Sequence, residues 1–519
     1  MSEAKGVIAA GHPLTAEAGA EVLRAGGNAV DAAICAVLTS FAVESLLTGF
    51  GAGGFMLVDI GGETTLIDFF VAAPGADGIE RREELVPIQV YFDQTPQTFN
   101  VGAASCGVPG CAAGLALAAE RFGTMPIADL TGPGIRHARE GAPLNAQQAY
   151  VIHILERIVT RLEGTRRLYA PEGQILREGE VFRFPELADA LERFGRDGAG
   201  PFYDGDIGRA VAEHVCELGG TLGPADMAAY EAIERRPARA CYRGTEVFTN
   251  PPPSSGGVLI AYCLDLLERL GSSEVEDVVA VMRSANDARG ADFHDGLYEE
   301  GYLERFLGDE RMAAAAEEIR AARSRGGGGA FPADGLGSTT HLSVLDADGN
   351  CASVTCSNGT GSGVLVPGSG VHVNNMLGEE DLNPLGFHRT PPGRRITSMM
   401  APTIVLRDGE VLAGLGSAGS NRIRSAVLQT ILRMLDDGMS AADAIEAGRL
   451  HFEADTVQAE PGVDEEGLAR LEEHGLPVVR WERRNLFFGG VQAVARDPAT
   501  GRLSGGGVPR RGGVALVVE

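Results

Sequence analysis

Lysine is almost missing from this chain of 519 residues: Lys5 is the only one, and every other strongly basic residue is an arginine. Schiff-base lysines, lysines that hold nucleotide phosphates and lysine general bases are therefore excluded, unless the N-terminal segment supplies Lys5. Long apolar runs are missing too, since no stretch reaches the roughly 18 to 20 residues that a membrane helix needs. The sequence therefore predicts no membrane partner.

An excess of positive charge is also missing. The formal net charge is -27, whereas proteins that bind nucleic acid need clustered cations against the phosphate backbone. The first residues lack a basic segment followed by an apolar one, which is the pattern of a secretory signal. We therefore expect no nucleic-acid partner and a cytoplasmic location.

The eight cysteines form no CxxC pair. They are predicted to be small buried hydrophobic residues rather than disulfides or zinc ligands. His341 has no second ligand at metal-site spacing, and a histidine in a strand is typically a hydrogen-bonded core residue. A metal or redox protein is thus the least supported reading, and neither a metal nor a cofactor is expected.

Glycine is abundant, with 72 residues, about twice the usual share, which favours tight turns. In the first third, Thr15–Ala25 is predicted to be a helix that ends at Gly26, and Asn28 is predicted to cap the next helix. FMLVDI and TTLIDFF are predicted strands, and residues 110–122 and 126–140 are predicted helices. NPPPSSGG at 250–257 is a turn that leads into another apolar helix.

The main discontinuity is the segment 323–338, which contains four consecutive glycines and is predicted to be mobile. The stretch that follows, THLSVL, DADGN and CASVTCSN, predicts a β-hairpin, and further strand patterns continue to the end of the chain. Thr339 is thus placed at the start of a strand, directly after a flexible tether.

A threonine at this place has a specific chemistry open to it. If the peptide bond before Thr339 is cut, its own α-amino group, with an ordinary pKa of about 7.7–8.0, can act as the base that activates its hydroxyl. The same hydroxyl can make that cut by attacking the preceding carbonyl and forming an ester that water opens. Taken alone, a threonine at a strand start is usually only the start of a strand.

The chain resembles the γ-glutamyltranspeptidases, which are self-cleaving N-terminal nucleophile hydrolases. The resemblance covers nearly the whole length and is carried by motifs that occur in the family's order. They are GGNAVDAA (26–33), GAGGFMLVD (51–59), GVPG (107–110), RFGTMP (121–126), NPPPSSGG (250–257), TTHLSVLDADGN (339–350), APTIV (401–405), GSAGSNRI (416–423) and FFGGVQAVARDPATGRL near the end.

The resemblance implies that Thr339 is the nucleophile and that the Ser338–Thr339 bond is cut. The products would be a large subunit, residues 1–338, and a small subunit, residues 339–519, which stay together as one folded unit. Ser357 stands where the family has an assisting hydroxyl, and Gly419 and Ser420 stand where its backbone N–H groups hold the oxyanion. The implied fold is α/β, a four-layer αββα sandwich with two stacked antiparallel sheets.

The substrate pocket departs from the family pattern. Phe70 stands where the family has an arginine that binds the α-carboxylate of the glutamyl group, and Arg394 and Arg395 are alternatives for that role. The remaining predicted substrate-binding residues are Asn358, Met376, Glu379, Ser398 and Met399, of which Met376 replaces a glutamine. Asn358 corresponds to the family's amide only across a gap in the alignment.

The resemblance therefore implies an amide hydrolase or acyltransferase that passes an acyl group to water or to an amine. Its small-molecule substrate is glutathione or another γ-glutamyl amide, or an amide with a less polar acyl group. The alternative is an uncleaved, catalytically silent relative that binds a metabolite or acts as a scaffold. The hydroxyls at Thr339 and Ser357 argue against that alternative, because a scaffold does not need them.

Overall fold

The computed structural model describes residues 4–92, 95–322 and 339–519. The strands are β1 (Gly6–Ala10), β2 (Gly53–Ile60), β3 (Glu63–Phe69), β4 (Val86–Phe92), β5 (Thr95–Val101), β6 (Ala142–Pro143), β7 (Val181–Phe182), β8 (Ile233–Arg235), β9 (Ala238–Tyr242), β10 (Thr245–Thr249), β11 (Thr340–Asp346), β12 (Cys351–Ser357), β13 (Leu365–Val366), β14 (Val371–His372), β15 (Thr403–Arg407), β16 (Glu410–Gly416), β17 (Leu450–Glu453), β18 (Thr456–Ala459), β19 (Val478–Arg480), β20 (Gln492–Arg496), β21 (Leu503–Gly507) and β22 (Val514–Val518).

The helices are α1 (Pro13–Ala25), α2 (Ala29–Val43), α3 (Cys111–Phe122), α4 (Ile127–Leu130), α5 (Gly132–Glu140), α6 (Ala146–Ile154), α7 (Glu156–Val159), α8 (Glu163–Tyr169), α9 (Pro185–Asp197), α10 (Asp206–Glu217), α11 (Pro224–Ala228), α12 (Ser255–Leu270), α13 (Val275–Asp287), α14 (Ala291–Gly296), α15 (Tyr302–Phe306), α16 (Asp309–Ala322), α17 (Arg422–Leu435), α18 (Ala441–Glu446) and α19 (Glu465–Glu473). Among the described residues, none of these helices is both long and apolar enough to span a bilayer.

Two antiparallel sheets form the centre of the molecule. The strand order is β22-β1-β11-β12-β2-β3-β8 in the first sheet and β21-β20-β16-β15-β10-β9 in the second. Residues before and after the predicted cut contribute to both sheets, since β1 pairs with β11 and β10 pairs with β15. A chain cut before Thr339 would therefore keep its two parts interleaved in the same sheets.

The layers follow from alternation along the strands. On β11, Leu342 and Val344 face the apolar cluster that the first sheet shares with α1 and α2, whereas Leu345 faces a second cluster between the two sheets. A third cluster covers the other face of the second sheet with α12 and α17. This is the predicted αββα sandwich, and each layer is closed by apolar burial.

Local signals in the sequence are confirmed at several elements. Helix α1 ends at Gly26 in the left-handed region, and the Asn28 side chain caps α2 together with Asp31 in a reciprocal capping box. The hairpin β11–β12 forms as predicted. The helix predicted over 126–140 is instead two helices, because Pro133 cannot donate a backbone hydrogen bond and lies in the first turn of α5.

Two other predictions have mixed outcomes. Six cysteines are buried free thiols, but Cys216 is half-buried and Cys241 is exposed, so the buried-thiol prediction is wrong for Cys241. The glycine-rich segment 323–338 lies outside the described residues, and so does Ser338, the residue before the predicted cut.

Candidate active site

Thr339 lies immediately before β11, and its side chain points between the two sheets. Its hydroxyl donates a hydrogen bond to the Ser357 hydroxyl at 3.3 Å. The register pairs Thr340 with Cys356 and His341 with Thr355, so alternation brings Thr339 and Ser357 to the same face. Thr339 is only 6% exposed. The two hydroxyls that the resemblance singles out therefore meet in space.

Ser357 is held in place from its other side as well. Its hydroxyl accepts a hydrogen bond from the Gly359 backbone N–H at 2.8 Å. The oxygen is thus fixed by the turn after β12 while it accepts from Thr339. This arrangement orients the Thr339 hydroxyl.

Glu44 is a buried acid beside β11, the strand that begins after Thr339. It is not among the site residues predicted from the sequence. Its carboxylate accepts hydrogen bonds from Thr340 at 2.9 Å and from Thr15 at 2.8 Å. Burial raises the pKa of Glu44 to about 7, although these two hydroxyls partly oppose the shift. The available signal was a glutamate at the end of the otherwise apolar helix α2.

His341 lies in β11, and its ring is held by hydrogen bonds to neighbouring side chains. Its ring nitrogens lie 2.8 Å from the Thr355 hydroxyl and 2.9 Å from the Ser343 hydroxyl, and burial lowers its pKa to about 3. No group of three potential metal ligands occurs in the described parts of the chain. His341 is therefore a neutral, hydrogen-bonded histidine between the sheets.

A small cavity opens beside Thr339. It is lined from several elements by Glu44, Gln148, Val151, Thr339, Ala418, Leu486, Gly490 and Arg511, among others, and its volume is about 40 Å³. A single water needs only about 10–15 Å³ of such space. The cavity thus leaves room next to the hydroxyl for a group of a few atoms, and this includes the water that opens an ester.

The turn predicted to hold the oxyanion follows β16. Gly419 and Ser420 both have positive φ, 129° and 51°, and Ala418, directly before them, lines the cavity. The Ser420 hydroxyl donates to the Asp381 carboxylate. This bond supports a non-glycine residue in a conformation that glycine adopts more easily, and the backbone N–H donors predicted for this turn do not depend on the side chain.

Asn358 and Glu379 lie around the loop that follows Ser357. The Asn358 side chain is fully buried, and neither its oxygen nor its nitrogen has a hydrogen-bond partner among the described residues. A Cβ placed on Gly359 would lie 2.5 Å from Glu379 Oε1, which also has no partner in the described part of the chain. Burial and the neighbouring Asp381 raise the pKa of Glu379. Neither side chain lines the cavity beside Thr339, and their predicted contact with substrate stays a prediction.

Phe70 and Met376 lie in the apolar cluster between the sheets. The Phe70 ring is fully buried and stacks on Phe55, with ring centroids 5.2 Å apart and planes 17° apart. The structure therefore places the residue that replaces the family's arginine in the core, and not at the cavity beside Thr339.

Neither Arg394 nor Arg395, the two arginines that could bind a substrate carboxylate in place of the missing one, lines the cavity beside Thr339. The Arg395 guanidinium is buried, pairs with Asp68 at 3.3 Å and donates to the Glu231 carbonyl. Arg394 is exposed, lies over the Tyr298 ring and lines a different cavity, formed with residues such as Leu385. Their positions argue against the hypothesis that one of them replaces the missing arginine.

Ser398 and Met399 support the start of helix α12. The Ser398 carbonyl accepts from the backbone N–H groups of Ser255 and Gly256, and the Ser255 hydroxyl donates to the Met399 sulfur at 3.4 Å. These first-turn N–H groups have no partner inside their own helix. The pair thus anchors α12, and its predicted contact with substrate stays a prediction.

Comparison with known proteins agrees with this geometry. The family model described as Gamma-glutamyltranspeptidase matches residues 15–518. The chain is 32% identical over 534 residues to the acylase ACY 1 proenzyme of Pseudomonas sp. (strain SE83), covering 100% of this chain and 94% of the relative. It is 31% identical to the glutathione hydrolase proenzyme of Escherichia coli (strain K12), covering 98% and 90%.

The fold has a similar counterpart among solved structures. The cephalosporin acylase from Bacillus halodurans superposes with a TM-score of 0.85 at 26% identity, covering 100% of this chain and 97% of that one. The sandwich with a threonine at the start of a central strand defines an N-terminal nucleophile hydrolase. The chain belongs to the γ-glutamyltranspeptidase family, so its reaction is amide hydrolysis or acyl transfer.

Proposed function

We propose that the chain cuts itself between Ser338 and Thr339 and then hydrolyses amides through an ester at the Thr339 hydroxyl. In the first step this oxygen attacks the Ser338 carbonyl, the C–N bond breaks, and the proton passes to the departing nitrogen. Water then opens the ester, which regenerates the hydroxyl and leaves Thr339 with a free α-amino group. Support comes from the Thr339–Ser357 contact and the adjoining cavity.

The second reaction repeats this chemistry on a substrate. The α-amino group takes the hydroxyl proton as the oxygen attacks the amide carbonyl, and the proton is delivered to the leaving amine. The backbone N–H groups of Gly419 and Ser420 stabilise the oxyanion. Water completes hydrolysis, whereas an acceptor amine completes acyl transfer.

We further propose that the acyl group is not γ-glutamyl. The observation that carries this is Phe70, which is stacked in the core where the family holds the carboxylate of the glutamyl group with an arginine. A buried charge-assisted contact of that kind contributes about 1.5–3 kcal/mol, and neither Arg394 nor Arg395 lines the cavity beside Thr339 in its place. Asn358 and Glu379 still offer hydrogen bonds to a polar group on the acyl chain.

Two measurements test these proposals separately. Intact-mass spectra of purified protein should show two chains, the lighter beginning at Thr339, whereas Thr339→Ala should remain one chain of 54.2 kDa. Cutting of Thr339→Ala at the normal rate would overturn the nucleophile assignment. Thr339→Ser, which keeps a hydroxyl, is the matched control and should still be cut.

The acyl group is tested with two chromogenic amides. γ-Glutamyl-4-nitroanilide carries both an α-ammonium and an α-carboxylate, and 4-aminobutyryl-4-nitroanilide lacks only the carboxylate. We expect kcat/KM for the second to equal or exceed that for the first. A preference of tenfold or more for the γ-glutamyl compound would favour the second candidate, a true γ-glutamyl hydrolase, and leave the assignment of Thr339 intact.

A further inference from the structure

Arg511 is a cation beside the nucleophile that the reaction described above does not use. It lies at the end of the short turn between β21 and β22 and lines the cavity that contains Thr339. Its guanidinium approaches the turn predicted to hold the oxyanion, since a Cβ on Gly419 would lie 3.7 Å from Arg511 Nη2. The charged group is therefore close to where an acyl carbonyl would react.

The backbone leaves space for this side chain. A Cβ on Gly490 would lie 2.4 Å from Arg511 Cδ, so glycine at position 490 leaves room for the arginine in the conformation that it adopts along this wall of the cavity. Gly489 lies against Gly419 from the same segment. The glycine pair that follows Phe488 thus allows Arg511 to lie close to Gly419 and Thr339.

Arg511 differs sharply from its neighbour Arg510. Arg510 forms a buried ion pair with Glu460 at 2.5 Å and donates to the carbonyls of Ile445 and Ala447. For Arg511, no acceptor among residues 4–92, 95–322 and 339–519 receives a hydrogen bond from its guanidinium, and its Nε is buried without a partner. No carboxylate of the described residues lies within ion-pair distance of it.

A guanidinium without a counter-charge in a partly buried site costs desolvation free energy unless an anion binds to it. Burial lowers the pKa of Arg511 to about 10, which keeps it protonated at neutral pH. The nearby Arg422 adds positive potential and no compensation. A planar guanidinium binds a carboxylate with two parallel hydrogen bonds, and the small cavity admits a group of that size.

We propose that Arg511 binds a carboxylate of the substrate and so determines specificity beside the nucleophile. This inference rests on the proposed amide hydrolysis at Thr339. It identifies the substrate class as amides that carry a carboxylate away from the position that Phe70 occupies. That carboxylate belongs either to the acyl chain or to the leaving amine, and the same guanidinium chemistry serves both.

Paired substrates distinguish the two sources. Succinyl-4-nitroanilide against propionyl-4-nitroanilide places the carboxylate on the acyl chain, one carbon closer to the reacting carbonyl than the α-carboxylate of a γ-glutamyl group. Butyryl-3-carboxy-4-nitroanilide against butyryl-4-nitroanilide places it on the leaving amine. The wild-type enzyme should prefer the carboxylate in one of the two pairs by about tenfold to a hundredfold in kcat/KM, and Arg511→Met should abolish that preference. Arg511→Lys, which keeps the charge but not the fork, should retain part of it.

A matched control is Arg502→Met, an exposed arginine on the same C-terminal segment, which should leave the preference unchanged. A readout without turnover is the binding of succinate and glycylglycine to the mature enzyme, followed by saturation-transfer NMR. One of the two should bind to the wild type and to Arg502→Met, and neither to Arg511→Met.

The proposal is overturned if the wild type discriminates in neither pair, if neither carboxylate binds, or if the preference survives in Arg511→Met. These outcomes differ from failure of the proposed function. That failure would show as an uncut chain, or as cutting that persists in Thr339→Ala.

Discussion

The hydroxyl of Thr339 lies 3.3 Å from that of Ser357, at the point where two neighbouring strands of the first sheet begin and end. Ser357 is in turn fixed by the Gly359 N–H. A nucleophile held by a neutral hydroxyl keeps its proton until a base removes it. In the proposed mechanism the base arises only when cutting frees the α-amino group, so activation and maturation would be linked in one residue.

Ser357→Ala should slow both self-cutting and turnover by about tenfold to a hundredfold. The change removes the acceptor that orients Thr339 and leaves the buried Gly359 N–H without a partner, at about 1–3 kcal/mol. The rate of appearance of the small subunit and kcat of the mature enzyme measure the two effects.

Ser353→Ala is the control for that variant. Ser353 is a buried serine on the same strand whose hydroxyl donates to the Leu415 carbonyl at 3.0 Å. It should lose comparable stability but cut itself normally. Ser357→Thr, which keeps the hydroxyl, should also be processed. Equal rates for Ser357→Ala and Ser353→Ala would contradict the orienting role.

The backbone conformation of Ser420 predicts an order of stabilities. Its φ of 51° is unfavourable for a residue with a Cβ, by roughly 1–2 kcal/mol, and its hydroxyl bonds to Asp381. Ser420→Gly loses the bond but relieves the strain, whereas Ser420→Ala loses the bond and keeps the strain. Thermal midpoints should therefore fall from wild type to Ser420→Gly to Ser420→Ala.

Activity provides an independent check on the same position. Because the proposed oxyanion donor is the backbone N–H, both Ser420 variants should keep kcat within a few-fold of the wild type once they are folded. A loss of a hundredfold or more in a folded Ser420→Gly variant would show that the hydroxyl itself takes part in the reaction.

Phe70→Arg should destabilise the protein and should not create a γ-glutamyl hydrolase. The ring is fully buried against Phe55 in the apolar layer between the sheets, and an unpaired charge placed there costs several kcal/mol. We expect little soluble, processed protein, whereas Phe70→Leu should fold and mature. A soluble Phe70→Arg variant with raised activity on γ-glutamyl-4-nitroanilide would mean that the pocket reaches this position.

Much of this site was predictable because its signals are local in sequence. The hairpin β11–β12 follows from strand patterns around the DADGN turn, and its register alone brings Thr339 to Ser357. The layered fold came only from the resemblance. The sequence around Glu44 and Arg511 does not show where they lie, because Glu44 reaches Thr340, and Arg511 the cavity beside Thr339, only through the folding of elements far apart in the chain. Phe70 shows the converse, since a motif position does not reveal which way a side chain packs.

Glu44 makes stability depend on pH in a defined direction. Its pKa is raised from 4.5 to about 7 in the folded chain, so the native state binds more protons than the unfolded state between these values. The stabilisation is therefore fully present below about pH 4.5 and is lost as the pH rises to about 7. The shift corresponds to at most about 3 kcal/mol.

Glu44→Gln should remove this part of the pH dependence, because glutamine resembles the neutral acid and does not titrate. The uncut Thr339→Ala chain provides a uniform background, because Thr339 takes no part in the Thr340–Glu44 hydrogen bond. The fall in thermal midpoint from pH 5 to pH 8 should be smaller for Thr339→Ala with Glu44→Gln than for Thr339→Ala alone. Glu379, whose pKa is also raised, contributes in the same direction to both chains, so the difference between them isolates Glu44. An identical fall in the two chains would mean that Glu44 stays ionised despite its burial, and its two threonine hydroxyls would then be the groups that stabilise the charge.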